Sequence, residues 1–401
     1  MKVLLVGSGA REHALAWKLA ASPSLTQLHA APGNPGIATL GDCHPIRAED
    51  ADGLLGLART LGAELVVIGP EAPLVAGVAD ELRRAGIAVF GPGAEAARIE
   101  GSKSFAKGIM TAAGVPAAAS MSVASAPCVV KADGLASGKG VFVCHTSEEV
   151  DVGIRRAAAL GGRIVIEELL EGPEISVFAL CDGQRAIPLG GAQDYKRASD
   201  GDTGPNTGGM GACSPAPSVD DIAELVEQIH QPVVDELARR GAPFVGCLFA
   251  GLMLTADGPR VLEFNARLGD PETQALLPRL EGDLLEALTA AANGDGNGAV
   301  LREGSKAGVS VVLAGPEYPE RSDYSGAPIE GIAAAEAAGA LVFQGATAVR
   351  GNGIVTNGGR ILSVTATAPT VASARERAYA AVGKISFEGA RFRSDIGAVA
   401  Q

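Results

Sequence analysis

Apolar and polar positions follow two rhythms along the chain. Through about residue 100, short apolar runs alternate with stretches of helical spacing. Val3-Leu4-Leu5-Val6 precedes a helical stretch from Glu12 to Ala21, Leu65-Val66-Val67-Ile68 precedes one from Asp80 to Ala85, and Ile87-Ala88-Val89-Phe90 closes at Gly91-Pro92. Apolar strands separated by amphipathic helices predict β-α-β units and a parallel sheet. From Ser102 the rhythm changes. A helix from Ser104 to Ala113 stops at Gly114-Val115-Pro116, and antiparallel strand pairs follow, with hairpin turns expected at Glu171-Gly172-Pro173 and Asp257-Gly258-Pro259. A helix from about Val219 to Arg240 interrupts them. Gly190–Ser214 is polar and Gly-rich with little periodicity, and reads as a long loop; such loops within compact domains are commonly functional. Asn293–Gly298 reads as a surface linker, and beyond about Leu301 strands return, with a hairpin turn expected at Asn357-Gly358 and a helix at Ala372–Val382. The expected architecture is a multidomain α/β and α+β chain: an N-terminal parallel-sheet domain over 1–101, a central domain over 102–300 and a β-rich C-terminal domain over 301–401.

The stretch VVKADGLASGKGVFV, Val129 to Val143, sets a Gly-rich loop with a lysine on each side between two apolar runs. Such backbone approaches a polyanion closely and can turn its N–H groups toward phosphate oxygens. It is not the Walker A loop G-x-x-x-x-G-K-[ST]. Three residues separate Gly134 from Gly138, Gly140 follows Lys139 where a hydroxyl is required, and the loop runs into a second strand. The plain alternative is a hairpin with solvated lysines. Lys131 weighs against it, because a lysine within a strand is costly to bury unless an anion meets it.

Composition narrows the partners. The net charge is −13 and no Lys/Arg run occurs, which argues against nucleic acid while leaving room for a small anionic substrate in a local basic pocket. The six cysteines are scattered without a C-x-x-C, so neither zinc nor a disulfide framework is expected and a reducing, cytoplasmic setting is. Met1-Lys2 leads straight into a strand with no signal-peptide pattern, and no apolar run is long enough to span a bilayer. The Gly7-Ser8-Gly9 turn invites a dinucleotide reading, but Glu12 stands at the third glycine position and Leu28-His29-Ala30-Ala31 ends without an acid for a ribose. A single phosphate at the loop and helix N-terminus still fits.

The strand VLEFNARLGDPE, Val261 to Glu272, carries the densest chemistry. At period two, Leu262, Phe264, Ala266 and Leu268 share an apolar face, and Glu263, Asn265 and Arg267 share the other. Glu263 and Asn265 offer oxygen ligands to Mg²⁺, which takes few protein groups and keeps phosphate oxygens as partners. Arg267 then stands where its fork of donors can hold a carboxylate or a transferring phosphoryl group. In IVIEELLEGPEISV, Ile164 to Val177, a strand end and Leu169-Leu170 could meet an adenine, with Glu174 toward the ribose; by itself this reads as an ordinary hairpin.

Together these pieces resemble the ATP-grasp superfamily, and more closely the glycinamide ribonucleotide synthetases, or phosphoribosylamine–glycine ligases. The resemblance covers essentially the whole chain. It rests on GSGAREHALAW (7–17), APGNPG (31–36), GPEAPLVAG (69–77), EGSKSFAK (100–107), KADGLASGKGV (131–141), DTGPNTGGMGA (202–212) and EFNARLGDPETQ (263–274). It implies ATP-dependent ligation of glycine to 5-phosphoribosylamine through a glycyl phosphate, in purine synthesis. The cofactors it implies are ATP and Mg²⁺ or Mn²⁺. The partners are those small molecules, with neither nucleic acid nor membrane, and the chain is expected to be a monomer.

The same resemblance implies site roles. Lys103, Lys131, Gly138 and Lys139 would meet the phosphates under a lid over about 117–172. Glu168, Leu170 and Glu174 would line the adenosine site, and Glu263 and Asn265 would hold the metal. Gly9, Arg11, Gly33 and Asn34 would meet the sugar phosphate, with Glu71 nearby. Asp194, Asn206 and Thr207 would close over glycine and the amine, and Arg267 would bind glycine's carboxylate or the phosphoryl group. Lys131, Asp194 and Arg267 are the catalytic candidates. The lid is shorter than the family usually carries, between Val115-Pro116 and Pro127-Cys128 and again after Glu148-Glu149, and Leu268 stands where Phe is common. The alternatives are another ATP-grasp carboxylate–amine ligase, or a catalytically degenerate nucleotide-binding protein.

Overall fold

The structure is a computed structural model that describes residues 1–135, 140–217, 219, 221–296 and 301–398. The first segment is the parallel sheet that its apolar runs predict. Its strands are β1 (Lys2–Gly7), β2 (Gln27–Pro32), β3 (Asp42–Cys43), β4 (Leu65–Ile68) and β5 (Ala88–Phe90), in spatial order β3-β2-β1-β4-β5. All four pairings are parallel. Helices α1 (Ala10–Ala20), α2 (Ala51–Leu61), α3 (Glu71–Val75), α4 (Val78–Arg84) and α5 (Ala94–Gly101) connect or follow the strands. The strand order reverses at β1, so the carboxyl ends of β1 and β4 open a crevice between Gly7–Gly9 and Gly69.

Helix α6 (Lys103–Ala113) leads to a three-stranded lid of β6 (Cys128–Ala132), β7 (Val141–Cys144) and β8 (Ile164–Glu168), with α7 (Ser147–Ala159) packed on it. Lys131 pairs with Val141, so the Gly-rich stretch is a strand–loop–strand flap as its sequence suggests. The short connection before β6 runs against the rest of the domain, with Ala117 bridged to Val261 and Ser120 to Glu167.

The large sheet holds β9 (Glu174–Asp182), β10 (Ala186–Asp194), β13 (Gly211–Ser214), β14 (Val245–Thr255) and β15 (Gly258–Asn265), after a small ribbon of β11 (Arg197–Ser199) and β12 (Thr203–Asn206). Its order begins β15-β14-β9-β10-β13 and continues through Ala307–Ala314, Arg360–Ala368 and Leu341–Gln344 of the C-terminal segment. One sheet therefore runs through two of the expected domains.

Several sequence expectations are corrected. Glu171–Pro173 does not turn a hairpin: β8 pairs with β6 in the lid, whereas β9 lies between β14 and β10. A Cβ at Gly172 would collide with the Leu254 carbonyl, so glycine lets the chain cross the end of β14 there. Asn357-Gly358 likewise joins two sheets, and the tight turn is Gly351-Asn352, where Arg350 pairs with Gly353. Gly190–Ser214 is strand-rich, because glycine and proline hide a period that pairing with neighbouring strands supplies. The 219–240 helix starts at Ile222 and contains a π-helical turn, Val226–His230, just before Pro232, whose missing N–H leaves the usual ladder one donor short. In the 293–298 stretch Gly296 is buried and donates to Asp182 Oδ2 at 3.0 Å, so that part is docked and not a solvated linker; residues 297 and 298 lie outside the described residues. The β15 alternation breaks at a bulge: Gly251 pairs with Glu263 but Leu252 with Val261, so Val261 takes the buried place expected of Leu262.

Phe178 on β9 and Phe249 on β14 meet edge to face at 5.2 Å beneath the site, and Phe178 is fully buried. Phe178→Ala is expected to cost about 3–5 kcal/mol through the cavity it leaves. A urea titration followed by tryptophan fluorescence should show an earlier midpoint; an unchanged midpoint would refute this packing.

Candidate active site

The lid meets the large sheet through Lys131. Its Nζ donates to the Leu262 carbonyl at 2.9 Å and lies 2.6 Å from Glu167 Oε2. Lys107 takes the other Glu167 oxygen at 2.8 Å, and Glu167 is buried. The anion that answers the burial of Lys131 is thus an internal carboxylate, which corrects the inference that its place in a strand by itself demanded a phosphate. Lys103, at the start of α6, donates to the Gly134 carbonyl at 3.2 Å. Burial lowers its pKa, the nearby Lys131 charge adds to this, and Glu263 opposes it. Asp133 accepts from Ser104 Oγ at 2.6 Å and fixes the lid's first turn to α6. Gly138 and Lys139 lie outside the described residues.

Glu263 sits at the centre of a ring of cations. Burial pushes its carboxyl up, but Lys196, Lys131, Lys103 and Arg267 outweigh this and hold it below the ordinary value. Lys196 Nζ stands 3.8 Å from Glu263 Oε1 and pairs closely with Glu174. Asn265 donates its amide nitrogen to the Phe264 carbonyl at 3.1 Å, which fixes the carboxamide. Among the described residues no cluster of three or more His, Cys, Asp or Glu side chains is placed to hold a metal. A Glu–Asn oxygen pair beside Lys103, Lys131 and Lys196 nevertheless fits a Mg²⁺ ion that takes its remaining ligands from phosphate and water. Asp194 is pushed well up by burial and by Glu272, Glu174 and Glu263, with Lys196 opposing. Glu272, which accepts from Ser176 Oγ at 3.1 Å, is raised by burial.

Arg267 faces the N-terminal domain. Its Nη2 lies 3.1 Å from Glu100 Oε1 and its Nε 3.3 Å from Glu71 Oε2. Glu100 also accepts the Ala266 N–H at 2.7 Å. The Gly9 loop lies close by. Gly9 donates its N–H to Glu12 Oε2 at 2.6 Å, and Arg11 bonds Glu12 Oε1 at 2.6 Å and the Leu268 carbonyl at 3.2 Å. The N–H of Gly9, the residue that caps α1, is therefore filled by Glu12 from the first turn of the same helix. Gly33 has φ +72° and packs on Cys43. Asn34 is buried and fully bonded, donating to the carbonyls of Ser8, Gly9 and Gln344 and accepting from Ile37, so it shapes the loop. Thr207 is also saturated, donating to the Lys196 carbonyl and accepting from Gly209, both within 2.9 Å. Asn206 ends β12 and pairs with Arg197. Glu168 accepts the Ala119 N–H at 2.7 Å, and Leu170 follows β8 half-buried.

Lys103, Lys131, Asp194, Glu174, Glu263, Asn265 and Arg267 thus share one charged region, whereas Gly9, Arg11, Gly33, Asn34 and Glu71 gather at the crevice of the parallel sheet. Sequence reasoning missed Glu167, Lys196, Glu100, Asp270, Glu272 and Arg360. Lys196 lay two residues beyond Asp194, at the period of a shared strand face. Arg360, from the C-terminal segment, donates to the carbonyls of Gly208 and Asp270 at 2.6 and 2.7 Å and pairs with Asp270 Oδ2 at 3.3 Å. Nothing local in the sequence signals that contact.

A small three-stranded lid with lysines at its base, set against a large antiparallel sheet bearing a Glu-x-Asn pair, defines the class: an ATP-grasp ligase. Comparison with known proteins agrees along the chain. Residues 1–100, 101–273 and 308–399 match the N domain, the ATP-grasp (A) domain and the C domain of phosphoribosylglycinamide synthetase. The phosphoribosylamine–glycine ligase of Streptomyces coelicolor is 51% identical over 418 aligned positions, covering 100% of this chain and 99% of that one. The one from Rhizobium meliloti is 48% identical, covering 99% and 98%. The crystal structure of the Thermotoga maritima phosphoribosylamine–glycine ligase superposes with a TM-score of 0.85 at 33% identity, covering 99% of this chain and 100% of that one. The chain belongs to the phosphoribosylglycinamide synthetase family, the ATP-dependent ligases that join glycine to 5-phosphoribosylamine in purine biosynthesis.

Two buried histidines make the fold acid-sensitive. His13 accepts the Gln344 N–H at 2.8 Å, and burial lowers its pKa to about 4; burial does the same to His230, also to about 4. Each is depressed in the fold, so its neutral form contributes stability in full above the unfolded value of about 6.5. That contribution is lost as pH falls toward the folded value. At pH 5 the loss is about 2 kcal/mol for each group. Thermal melts between pH 7.5 and 5 should show the fall, and His230→Phe should about halve it, His13 accounting for the rest; a melting temperature independent of pH over that range would refute the burial assignment.

Proposed function

We propose that this chain ligates glycine to 5-phosphoribosylamine with the residues gathered around Glu263, and that it does so by way of glycyl phosphate. A carboxylate oxygen of glycine attacks the γ-phosphorus of ATP, and the bond to the β–γ bridging oxygen breaks, releasing ADP. The amine nitrogen of phosphoribosylamine then attacks the acyl carbon, and the C–O bond to phosphate breaks. Phosphoryl transfer of this kind needs positioning and charge neutralisation more than a covalent protein group. Lys103 and Lys131 take the phosphates from the lid side. Lys196 takes the transferring phosphoryl group from the sheet side. Glu263 and Asn265 hold Mg²⁺ or Mn²⁺, which when bound neutralises phosphate charge. Arg267 receives glycine's carboxylate. As the amine becomes an amide its nitrogen sheds one proton, which the Asp194 carboxylate, made more basic by burial and by its acidic neighbours, takes up, while the electron pair of the broken C–O bond leaves with phosphate.

Glu168, Leu170 and Glu174 line the adenosine side. The strands β6 and β7 carry the flap over the phosphates, which matters because an acyl phosphate exposed to water hydrolyses. Gly9, Arg11, Gly33 and Glu71 face the sugar phosphate, with Asn34 shaping their loop, and Asn206 and Thr207 bound the amine side. We place the domain limits at 1–101, 102–300 and 301–401, with the lid over about 117–172. The chain works as a monomer in the cytoplasm. The cytoplasmic setting is supported by six free cysteines, five of them buried.

The observation that carries the reading is the placing of two lysines at the Glu-x-Asn strand: Lys196 Nζ stands 3.8 Å from Glu263 Oε1, and Lys131 Nζ is held on the adjoining Leu262 carbonyl at 2.9 Å. ADP release should require ATP, Mg²⁺, glycine and phosphoribosylamine together, and omitting any one should stop it. Release that persists without glycine, or with another amino acid in its place, would overturn the substrate. Glu263→Ala should lower kcat by about a hundredfold or more while leaving the circular dichroism spectrum intact; full activity would refute the metal role.

A further inference from the structure

The C-terminal tail buries a charge that the mechanism above does not use. Arg393 is among the largest fully buried side chains, 1% exposed. Its Nε and Nη2 donate to Asp395 Oδ1 and Oδ2, each at 2.7 Å, and its Nη1 donates to Asp202 Oδ1 at 2.7 Å and to the Arg197 carbonyl at 3.1 Å. The guanidinium also stands 5.0 Å from the centre of the Tyr195 ring. Its neighbours add a second row of bonds to the same ribbon. Ser394 donates its N–H to Asp200 Oδ1 at 2.8 Å, Gly201 donates to Asp395 Oδ2 at 2.9 Å, and Gly397 donates to the Tyr195 hydroxyl at 3.0 Å. Asp202, with φ +52°, is the one non-glycine residue among those described that is held at a positive φ.

These contacts converge on both neighbours of Lys196: the ring of Tyr195 before it and the carbonyl of Arg197 after it. The Lys196 carbonyl is itself held by the Thr207 N–H and hydroxyl, both at 2.8 Å. β11 and β12 form a ribbon of three and four residues, and a two-stranded ribbon is marginal by itself. A long lysine side chain delivers its charge only where its backbone is fixed. A planar guanidinium that satisfies several partners at once fixes it in a way a single ammonium cannot.

We propose that Arg393 is a positioning residue: from the C-terminal tail it locks Tyr195 and Arg197, and thereby sets the point from which Lys196 reaches Glu174 and Glu263. This rests on the reading of Lys196 as the cation at the transferring phosphoryl group. Among the described residues the tail makes no hydrogen bond or ion pair with Glu168 or Leu170 and reaches Glu174 only by way of Lys196, so the latch should act on turnover far more than on nucleotide binding.

The test compares R393K, D202G and K196A in the full chain, measuring kcat, the KM for ATP and MgADP affinity. R393K is expected to lose about 10- to 100-fold in kcat, as a misplacement near 1 Å can, with the ATP KM and MgADP affinity within about twofold of the parent. D202G spares the backbone its positive-φ strain while removing one Arg393 partner, so it should fold and lose about 3- to 10-fold in kcat. If K196A is inactive while both tail variants turn over normally, the latch is overturned and the site reading stands. If kcat falls only together with MgADP affinity, the tail merely supports the fold and the proposal is overturned. If K196A itself keeps full turnover, the site reading fails and takes the latch with it.

Discussion

The guanidinium of Arg267, held between Glu71 and Glu100, is the contact on which the arrangement of the two halves of the site depends. Arg267 follows directly after the strand carrying Glu263 and Asn265, whereas its partners come from α3 and α5 beside the parallel sheet. A partly buried charge that loses its partners leaves a penalty of about 3–5 kcal/mol, so the sheet crevice and the β15 strand are obliged to stay in register. The pairing is unequal. Burial raises Glu100 despite the arginine, while Glu71, although burial opposes it, is held ionised by Arg267 and Arg11. Arg267 is raised further against burial by both acids, so it keeps its charge throughout. With that pair in place, the Gly9 loop, held to the Leu268 carbonyl by Arg11, lies next to the residues proposed to handle phosphate.

What could be read from the sequence follows from how local its cause is. The parallel sheet was legible because each of its apolar strands is buried on both faces and followed by helical spacing. The flap at Lys131 was legible because glycines between two β-branched runs have few other uses. The hairpins at Glu171–Pro173 and Asn357-Gly358 were misread because a turn sequence says that the chain reverses, not which strand it next pairs with; the partner is chosen by burial elsewhere. The bulge at Leu262 shifted a clean alternation by one place for the same reason. Among site residues, Glu263, Asn265 and Arg267 could be found because they recur at period two. Glu167 and Arg360 could not, since their importance lies in partners far along the chain: Lys107 and Lys131 for one, Gly208 and Asp270 for the other.

The C-terminal segment has a larger part in the site than its lack of motifs suggests. It contributes three strands to the large sheet and reaches back at three points. The backbone of Gln344 receives a bond from Asn34 and gives one to His13, Arg360 holds Gly208 and Asp270, and Arg393 holds the β11–β12 ribbon. Most of these bonds end on backbone atoms. A carbonyl or N–H can be supplied by almost any residue, so such a contact leaves little trace in composition or spacing, although it fixes a loop as firmly as a side-chain pair.

The charge balance of the site explains how a chain of net charge −13 can receive a polyphosphate. The cations around Glu263 are not free: Lys131 is paired with Glu167, Lys196 with Glu174, and Arg267 with Glu71 and Glu100. Their positions are therefore set before any ligand arrives, and little reorganisation is needed when charge develops during transfer. Lys103 differs. Among the described residues its ammonium makes no ion pair and donates one hydrogen bond, to the Gly134 carbonyl, and burial lowers its pKa. A desolvated ammonium without a partner gains most from an incoming phosphate. Lys103 is also fixed to the lid's first turn through α6 and Asp133. On the proposed reading, a phosphate bound at Lys103 therefore sits where α6 joins the first turn of the lid.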